Sequence, residues 1–266
     1  MTQMPSDARA VTCAIPVLNG ASTLDWTIVS LRSQQNVRVS LVVVDSGSTD
    51  GTLEICNRWG LETRFAERGN MYRAVNEGLR DAGTEWLTYL NADDTVYARS
   101  FHDLIALGEA TSADVVYGDH DFVDGEGRFL FSLRSADPCD LQALFATSVM
   151  GLPQPGTIFS RKLFERLGGF STDFRLTADA DFFLRALQSG ARFARLDRTV
   201  CAFRIHQTQQ TMTRAAEMHL ETLRVAKAAG GRRPSATAAR WKWRWRNARE
   251  YAIRFLRTKS FHRPVS

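Results

Sequence analysis

Val39–Gly51, VSLVVVDSGSTDG, is the stretch that decides how this chain folds. Its first six residues form an apolar run of the kind buried on both faces in the middle of a parallel sheet. The run passes straight into Asp45 and a turn of glycine and small polar residues. Leu53 and Ile55 then carry a helical pattern, with Asp50 or Thr49 expected as its N-cap. The unit is strand, polar turn, helix.

The same unit recurs on both sides. Upstream, Val11–Val17 reads as a buried strand ending at Pro16 and the polar Asn19-Gly20, before a helix with Leu24, Ile28 and Leu31 at helical spacing. Downstream, Arg64-Phe65 closes a short third strand, Asn70–Ala82 is helical, and the strand Trp86–Leu90 stops at Asn91-Ala92-Asp93-Asp94. This alternation predicts an α/β domain with a mostly parallel sheet flanked by helices. Ligands of such sheets bind beyond the carboxyl ends of the strands, where Asn19, Asp45 and Asp93 all lie. After a helix at Phe101–Ala110, strands are expected at Asp114–Tyr117 and Phe129–Leu133, joined through the turn Asp124–Gly127. Helices follow at Arg161–Leu167 and Asp181–Leu187, and two closing strands at Arg192–Leu196 and Val200–Ile205. Nothing repeats internally.

Composition sets the bounds. The 266 residues are 44% hydrophobic and 24% charged, ordinary for one large or two small globular domains, with a formal net charge of +5. The four cysteines are scattered without a CxxC pair, which excludes a zinc ribbon or dithiol redox motif. Cys13 and Cys201 sit in apolar strands and read as core, and a reduced, cytoplasmic compartment is expected. Residues 1–10 form an N-terminal extension without an apolar signal region, and no run reaches the ~18–20 apolar residues of a membrane span. A soluble or peripheral protein is expected.

Four places carry candidate chemistry. Asp45 follows four apolar residues, where a carboxylate reads as a hydrogen-bond acceptor for a base or ribose; a helix cap and turn account for Asp50 and Gly51 but not for it. Asp93 and Asp94 suit a hard divalent cation sharing a diphosphate, or equally a solvated acidic turn. Asp179 and Asp181 open an apolar helix, where they also serve to complement its dipole. His206 follows the last expected strand, a position as common for a surface or core histidine as for a ligand.

The ordered series of these pieces resembles family 2 glycosyltransferases. It comprises AIPVLN (14–19), VVVDSGSTDGT (42–52), RAVNEGLRDAGTEWLTYLNADD (73–94), QPGTIFSRKLFERLGGF (154–170), TADADFFLRAL (177–187) and FRIHQTQQT (203–211). The resemblance implies a GT-A-type, Rossmann-like domain over residues 11–236 and inverting transfer from a nucleotide-sugar, by default a UDP-sugar. Pro16 and Asn19 would border the nucleotide, Asp45 would bond its base or ribose, and Arg73 would contact a phosphate. Asp93 would hold Mn²⁺ or Mg²⁺ with His206, beside Asn91 and Asp94 around the donor sugar. Asp179 would be the catalytic base. Two departures stand out: Asn91 replaces the first acid of the metal motif, and Ala178 replaces the glutamate before the base, leaving Asp181 as the other claimant. The asparagine before the acidic pair, together with DVVYGD (114–119), resembles bacterial transferases of lipopolysaccharide, capsule or exopolysaccharide, with a saccharide or lipid-linked acceptor.

Two other functions compete. A sugar-phosphate nucleotidylyltransferase needs a glycine-rich loop with basic residues, whereas AIPVLNGAST has one glycine and none. A non-catalytic sugar-nucleotide-binding or membrane-scaffold protein fits Asn91 and Ala178 but not the retained Asp45, Asp93 and Asp179.

Residues 237–266 form a basic, aromatic, helical tail, with RWKWRWR at 240–246. Tryptophans among cations suit an anionic membrane surface, each basic residue contributing about 1 kcal/mol. The alternative is a helix packed on the domain with its arginines outward. No nucleic-acid fold accompanies the tail, so nucleic acid is not an expected partner.

Overall fold

The computed structural model describes residues 9–206, 209, 213–231 and 234–258. Residues 1–8 of the extension, 259–266 of the tail, and Gln207, Thr208, Gln210 and Thr211 of the last motif lie outside them.

Five strands and four helices make the first half. They run β1 (Ala10–Val17), α1 (Leu24–Arg32), β2 (Arg38–Asp45), α2 (Thr52–Arg58), β3 (Glu62–Phe65), α3 (Met71–Leu79), β4 (Trp86–Tyr89), β5 (Thr95–Val96) and α4 (Ser100–Thr111). The second half holds β6 (Val115–Val123), β7 (Phe129–Leu133), α5 (Leu141–Phe145), β8 (Ile158–Ser160), α6 (Arg161–Leu167), α7 (Ala178–Gln188) and β9 (Phe193–Arg204). Helices α8 (Ala215–Ala228), α9 (Pro234–Arg246) and α10 (Ala248–Thr258) follow.

All nine described strands join one sheet in the order β3-β2-β1-β4-β8-β6-β9-β5, with β7 beside β6. Most paired residues sit in parallel ladders: β1 with β2 and β4, β2 with β3, and β6 with β9. Val17 faces Asp45 in register, so β1 and β2 end level and their loops emerge side by side. Alternate residues of β1 feed two cores. Cys13, Ile15 and Val17 join one with Leu24, Ile28 and Phe101, while Ala14 joins the other with Tyr72, Tyr89 and Phe182. That division is why the strand is apolar at successive positions. Gly78 lets α3 approach β1: a Cβ there would stand 2.7 Å from the Ala14 Cβ.

The structure differs from expectation in four places. The two closing strands are one, β9, because the exposed Asp197 and Arg198 stay within the strand where its register with β6 slips. Strand β6 runs on to Val123 rather than stopping at Tyr117. Gly51, with φ +89°, occupies the N-cap of α2, while the Asp50 carboxylate accepts the Thr52 N–H at 3.1 Å. The very short β5, β8 and α5 carry too few residues to show a period, and α8 was not foreseen.

The tail helices dock. Helix α9 crosses position 236, buries Ala236 and Ala239, and Trp243 Nε1 donates to the Arg134 carbonyl at 2.9 Å. Asn247 receives the Arg134 N–H at 2.7 Å and returns a bond to its carbonyl at 3.0 Å. Arg246 pairs with Asp137 at 2.6 Å, and Arg254 lies 4.7 Å over the Phe131 ring. The WKWRW spacing puts Trp243 inward and leaves Trp241 and Trp245, one turn apart, 66% and 84% exposed. Among the described residues no helix is long and apolar enough to cross a membrane.

Candidate active site

The loops leaving β1 and β2 are stitched to each other. Asn19, held at φ +56°, donates its N–H to Ser48 Oγ at 2.8 Å and accepts the Thr49 N–H on Oδ1 at 2.9 Å. The Ala21 N–H reaches Asp50 at 3.0 Å. Asp45, buried at the end of β2, accepts the N–H groups of Gly47 at 2.7 Å and Ser48 at 3.0 Å, and the Ser48 hydroxyl. Its charge therefore has an explanation within the protein that the sequence did not offer: it folds its own turn. The neighbouring Ser46, not Asp45, lines the adjoining cavity.

At the end of β4 the acidic pair divides. Asp93 Oδ2 lies 2.9 Å from His206 Nε2, on the cavity wall. Asp94 is fully buried, does not line the cavity, and accepts the Arg204 N–H on Oδ1 at 3.0 Å. Burial first, and Asp93 beside it second, push the Asp94 carboxyl well above the ordinary value. Arg204 is the centre of this arrangement, through main-chain contacts that no motif displays. Its Nε donates to the Asp93 carbonyl at 2.9 Å, and Nη1 reaches the carbonyls of Asp124 at 3.2 Å and Gly125 at 2.9 Å. The guanidinium lies 4.2 Å over the Trp26 ring, and burial lowers its pKa from the ordinary value.

The donor set suits a divalent cation completed by substrate oxygens. Asp93 and His206 already adjoin, and Asn91 Oδ1 is buried without a hydrogen-bond partner beside them in the cavity wall. Among the described residues no three acidic, histidine or cysteine side chains converge, so diphosphate oxygens would have to supply the rest of a hard ion's shell.

Asp179 stands in the first turn of α7, and its Oδ1 accepts the Tyr72 hydroxyl at 3.1 Å and the Ala180 N–H at 2.8 Å. Burial pushes its carboxyl up to about 6, against the pull of these bonds. Asp181 points elsewhere, paired with Arg185 at 2.7 Å, and does not line the cavity. A further carboxylate, Glu221 of α8, was invisible to motif reading because it lies 44 residues beyond Thr177. It is buried and accepts the N–H groups of Arg175, Leu176 and Thr177 at 2.8, 2.9 and 3.0 Å, where α7 begins. A negative charge there satisfies donors the helix cannot and complements the positive end of its dipole. Glu221→Gln is expected to cost about 2–3 kcal/mol by urea unfolding, since an amide cannot accept on both arms.

Pro16, Asn19, Asn91, Asp93, Asp179 and His206 thus line one cavity of about 990 Å³. Arg73 does not join them. Its side chain is half exposed, pairs with Glu67 at 3.3 Å, and lines a separate groove of about 400 Å³ with Asn76 and Phe164.

The family model for glycosyl transferase family 2 matches residues 12–168. The chain belongs to that family. A "PGL/p-HBAD biosynthesis glycosyltransferase" of Mycobacterium bovis is 31% identical over 198 residues, covering 71% of this family 2 chain and 73% of its own. An uncharacterized glycosyltransferase of Rickettsia typhi is 26% identical over 213 residues, 76% of this chain and 66% of its own. Among solved structures, S. aureus TarS 1–349 in complex with UDP aligns with a TM-score of 0.61 at 18% identity, over 83% of this chain and 65% of that one. A mannosyltransferase from Pyrobaculum calidifontis in complex with GDP-Man and Mn²⁺ aligns at 0.54 and 21% identity, over 94% and 86%. Those likenesses give the fold, which is GT-A. The chain is a glycosyltransferase by family, and sequence and fold agree on it.

Proposed function

We propose that this glycosyltransferase moves a sugar, with inversion, from a nucleoside diphosphate donor to an acceptor hydroxyl in the synthesis of a cell-surface polysaccharide or glycolipid. One observation carries the reading: Asp179, a carboxyl poised near 6, shares a cavity with Asp93 and His206. UDP is the default nucleotide, as in the TarS complex, and the mycobacterial relative supports a glycolipid product.

Pro16, Asn19 and Ser46 border the nucleotide on loops that Asp45 and Asp50 keep in shape. Asp179 takes the proton of the acceptor hydroxyl as its oxygen attacks the anomeric carbon and the nucleoside diphosphate departs. A single displacement with one base and no protein nucleophile inverts the centre. Tyr72 holds the base in line through its hydroxyl. Mn²⁺ or Mg²⁺, held by Asp93 and His206 with Asn91 Oδ1, would offset the charge on the leaving diphosphate.

Residues 11–236 form the bulk of the catalytic unit, and the outward face of the tail is its attachment to an anionic membrane at the cytoplasmic face. Exposed Trp241 and Trp245 with Arg244 between them give that surface its aromatic and cationic character.

The test is release of nucleoside diphosphate from a panel of sugar nucleotides with Mn²⁺ or with EDTA. One donor is expected to be cleaved with metal, and Asp93→Asn to lower the rate about a hundredfold. Cleavage of none, with none bound by calorimetry, would leave a scaffold in place of an enzyme.

A further inference from the structure

The cavity of about 990 Å³ extends past the residues assigned to the donor. Beyond the residues assigned to the donor, its wall includes Leu133 at the end of β7, Phe145 of α5, Val149 and Met150 in the loop after α5, Met218 of α8 and Trp243 of α9. The same wall also includes Arg134, Arg175 and Arg214. Four of the six apolar residues join the reacting centre: Phe145 belongs to, and Val149, Met150 and Trp243 pack on, the same core that contains Tyr72, the hydroxyl partner of Asp179, and Ala178 beside it. A sugar ring carries its hydroxyls around the edge, where polar side chains match them, and its C–H faces need at most one flat aromatic ring. An arm of thioether, aliphatic and indole surfaces matches an apolar body instead.

We infer that this arm is the acceptor subsite and that it takes an apolar aglycone, an aryl or alkyl group attached to, or bearing, the accepting hydroxyl. The inference rests on the transferase reading for the direction of the reaction. The arm is built partly by the tail, because Trp243 is fixed from α9 through its bond to the Arg134 carbonyl at 2.9 Å. The inward tryptophan therefore belongs to substrate recognition, whatever surface its outward neighbours meet. Methionines at 150 and 218 make the wall adaptable to chain length.

The experiment uses the full chain and one donor with matched acceptors: a free sugar, its phenyl glycoside and its hexyl glycoside. Each is followed by transfer and, separately, by calorimetric binding. The apolar glycosides are expected to be preferred in kcat/KM by about tenfold or more, chiefly through KM, with each added methylene contributing roughly threefold to fourfold. Phenyl against hexyl tells an aryl from an alkyl occupant. Met150→Gln is expected to remove most of that preference, read as the ratio of kcat/KM for apolar glycoside to free sugar within the variant, and Trp243→Ala to reduce the ratio further. Equal kcat/KM for free sugar and apolar glycosides, or a preference untouched in Met150→Gln, would overturn the inference. If no acceptor is glycosylated, binding of the apolar glycosides that is weakened in Met150→Gln sustains the subsite while the transferase reading fails. Absence of both overturns the subsite as well.

Discussion

Asp179→Asn is expected to lower transfer about 10³-fold, the contribution of a positioned general base, and at the same time to stabilise the protein. The asparagine keeps both bonds seen at this position, accepting from Tyr72 and Ala180 through Oδ1, so the loss is of the base and not of the fold. The stabilisation follows from the raised pKa. The folded carboxyl titrates at about 6, against an ordinary value of about 4 in the unfolded chain, so the folded state prefers the neutral form. That preference contributes stability that is intact below about pH 4 and is lost as pH rises through about 6. The permanently neutral amide does not lose it. Above pH 6 the variant should therefore be more stable by roughly 2–3 kcal/mol, and near pH 4 by nothing. The same titration sets the acid limb of the wild-type rate: kcat/KM should rise with pH to a plateau above about 6. Urea unfolding at pH 4 and 8, with transfer rates across that range, checks both. A variant within tenfold of wild-type activity would move the base elsewhere.

Much of this was legible in the sequence, and the division has physical reasons. VSLVVVD and AIPV announced central strands because both of their faces are buried, which shows as apolar residues at successive positions. Asp93, His206 and Asp179 each close a local pattern in the sequence, and the structure brings them to one cavity. Arg204 and Glu221 were missed because their roles lie in contacts across more than 40 residues, with carbonyls and N–H groups that leave no side-chain signature. Asp45 and Asp94 have no visible partner in sequence because a carboxylate after an apolar strand meets groups that leave no motif, here chiefly main-chain N–H groups. Arg73 was carried by its place in a motif, and helix α3 turns it to the other side, where Glu67 meets it.

The largest loss of stability is expected at Arg204. Met, close to it in length, would keep the packing over Trp26 but give up the bonds to three main-chain carbonyls, those of Asp93, Asp124 and Gly125. Those carbonyls belong to two different loops, the acidic turn after β4 and the hairpin after β6, and Arg204 at the end of β9 is what joins them. Each bond to a charged donor contributes about 1.5–3 kcal/mol in isolation, but three sharing one group are not additive. Against their sum stands the burial of the guanidinium, which methionine relieves. The loss of three charge-assisted bonds that tie two loops together still dominates, and Arg204→Met should cost about 3–4 kcal/mol by urea unfolding. Arg204→Lys separates charge from geometry: one ammonium cannot reach both loops as the planar fork does, so lysine should recover under half of the loss. The Asp94 carboxylate meets the main-chain N–H of residue 204, which either substitution leaves in place, so β9 should keep its position. What moves is the Asp93 turn, and with it the contact to His206 at 2.9 Å. Both variants should then need more Mn²⁺ for half-maximal transfer, methionine by about tenfold. A methionine variant within 1 kcal/mol of wild type and with unchanged metal demand would show that the two loops hold their shape without the arginine.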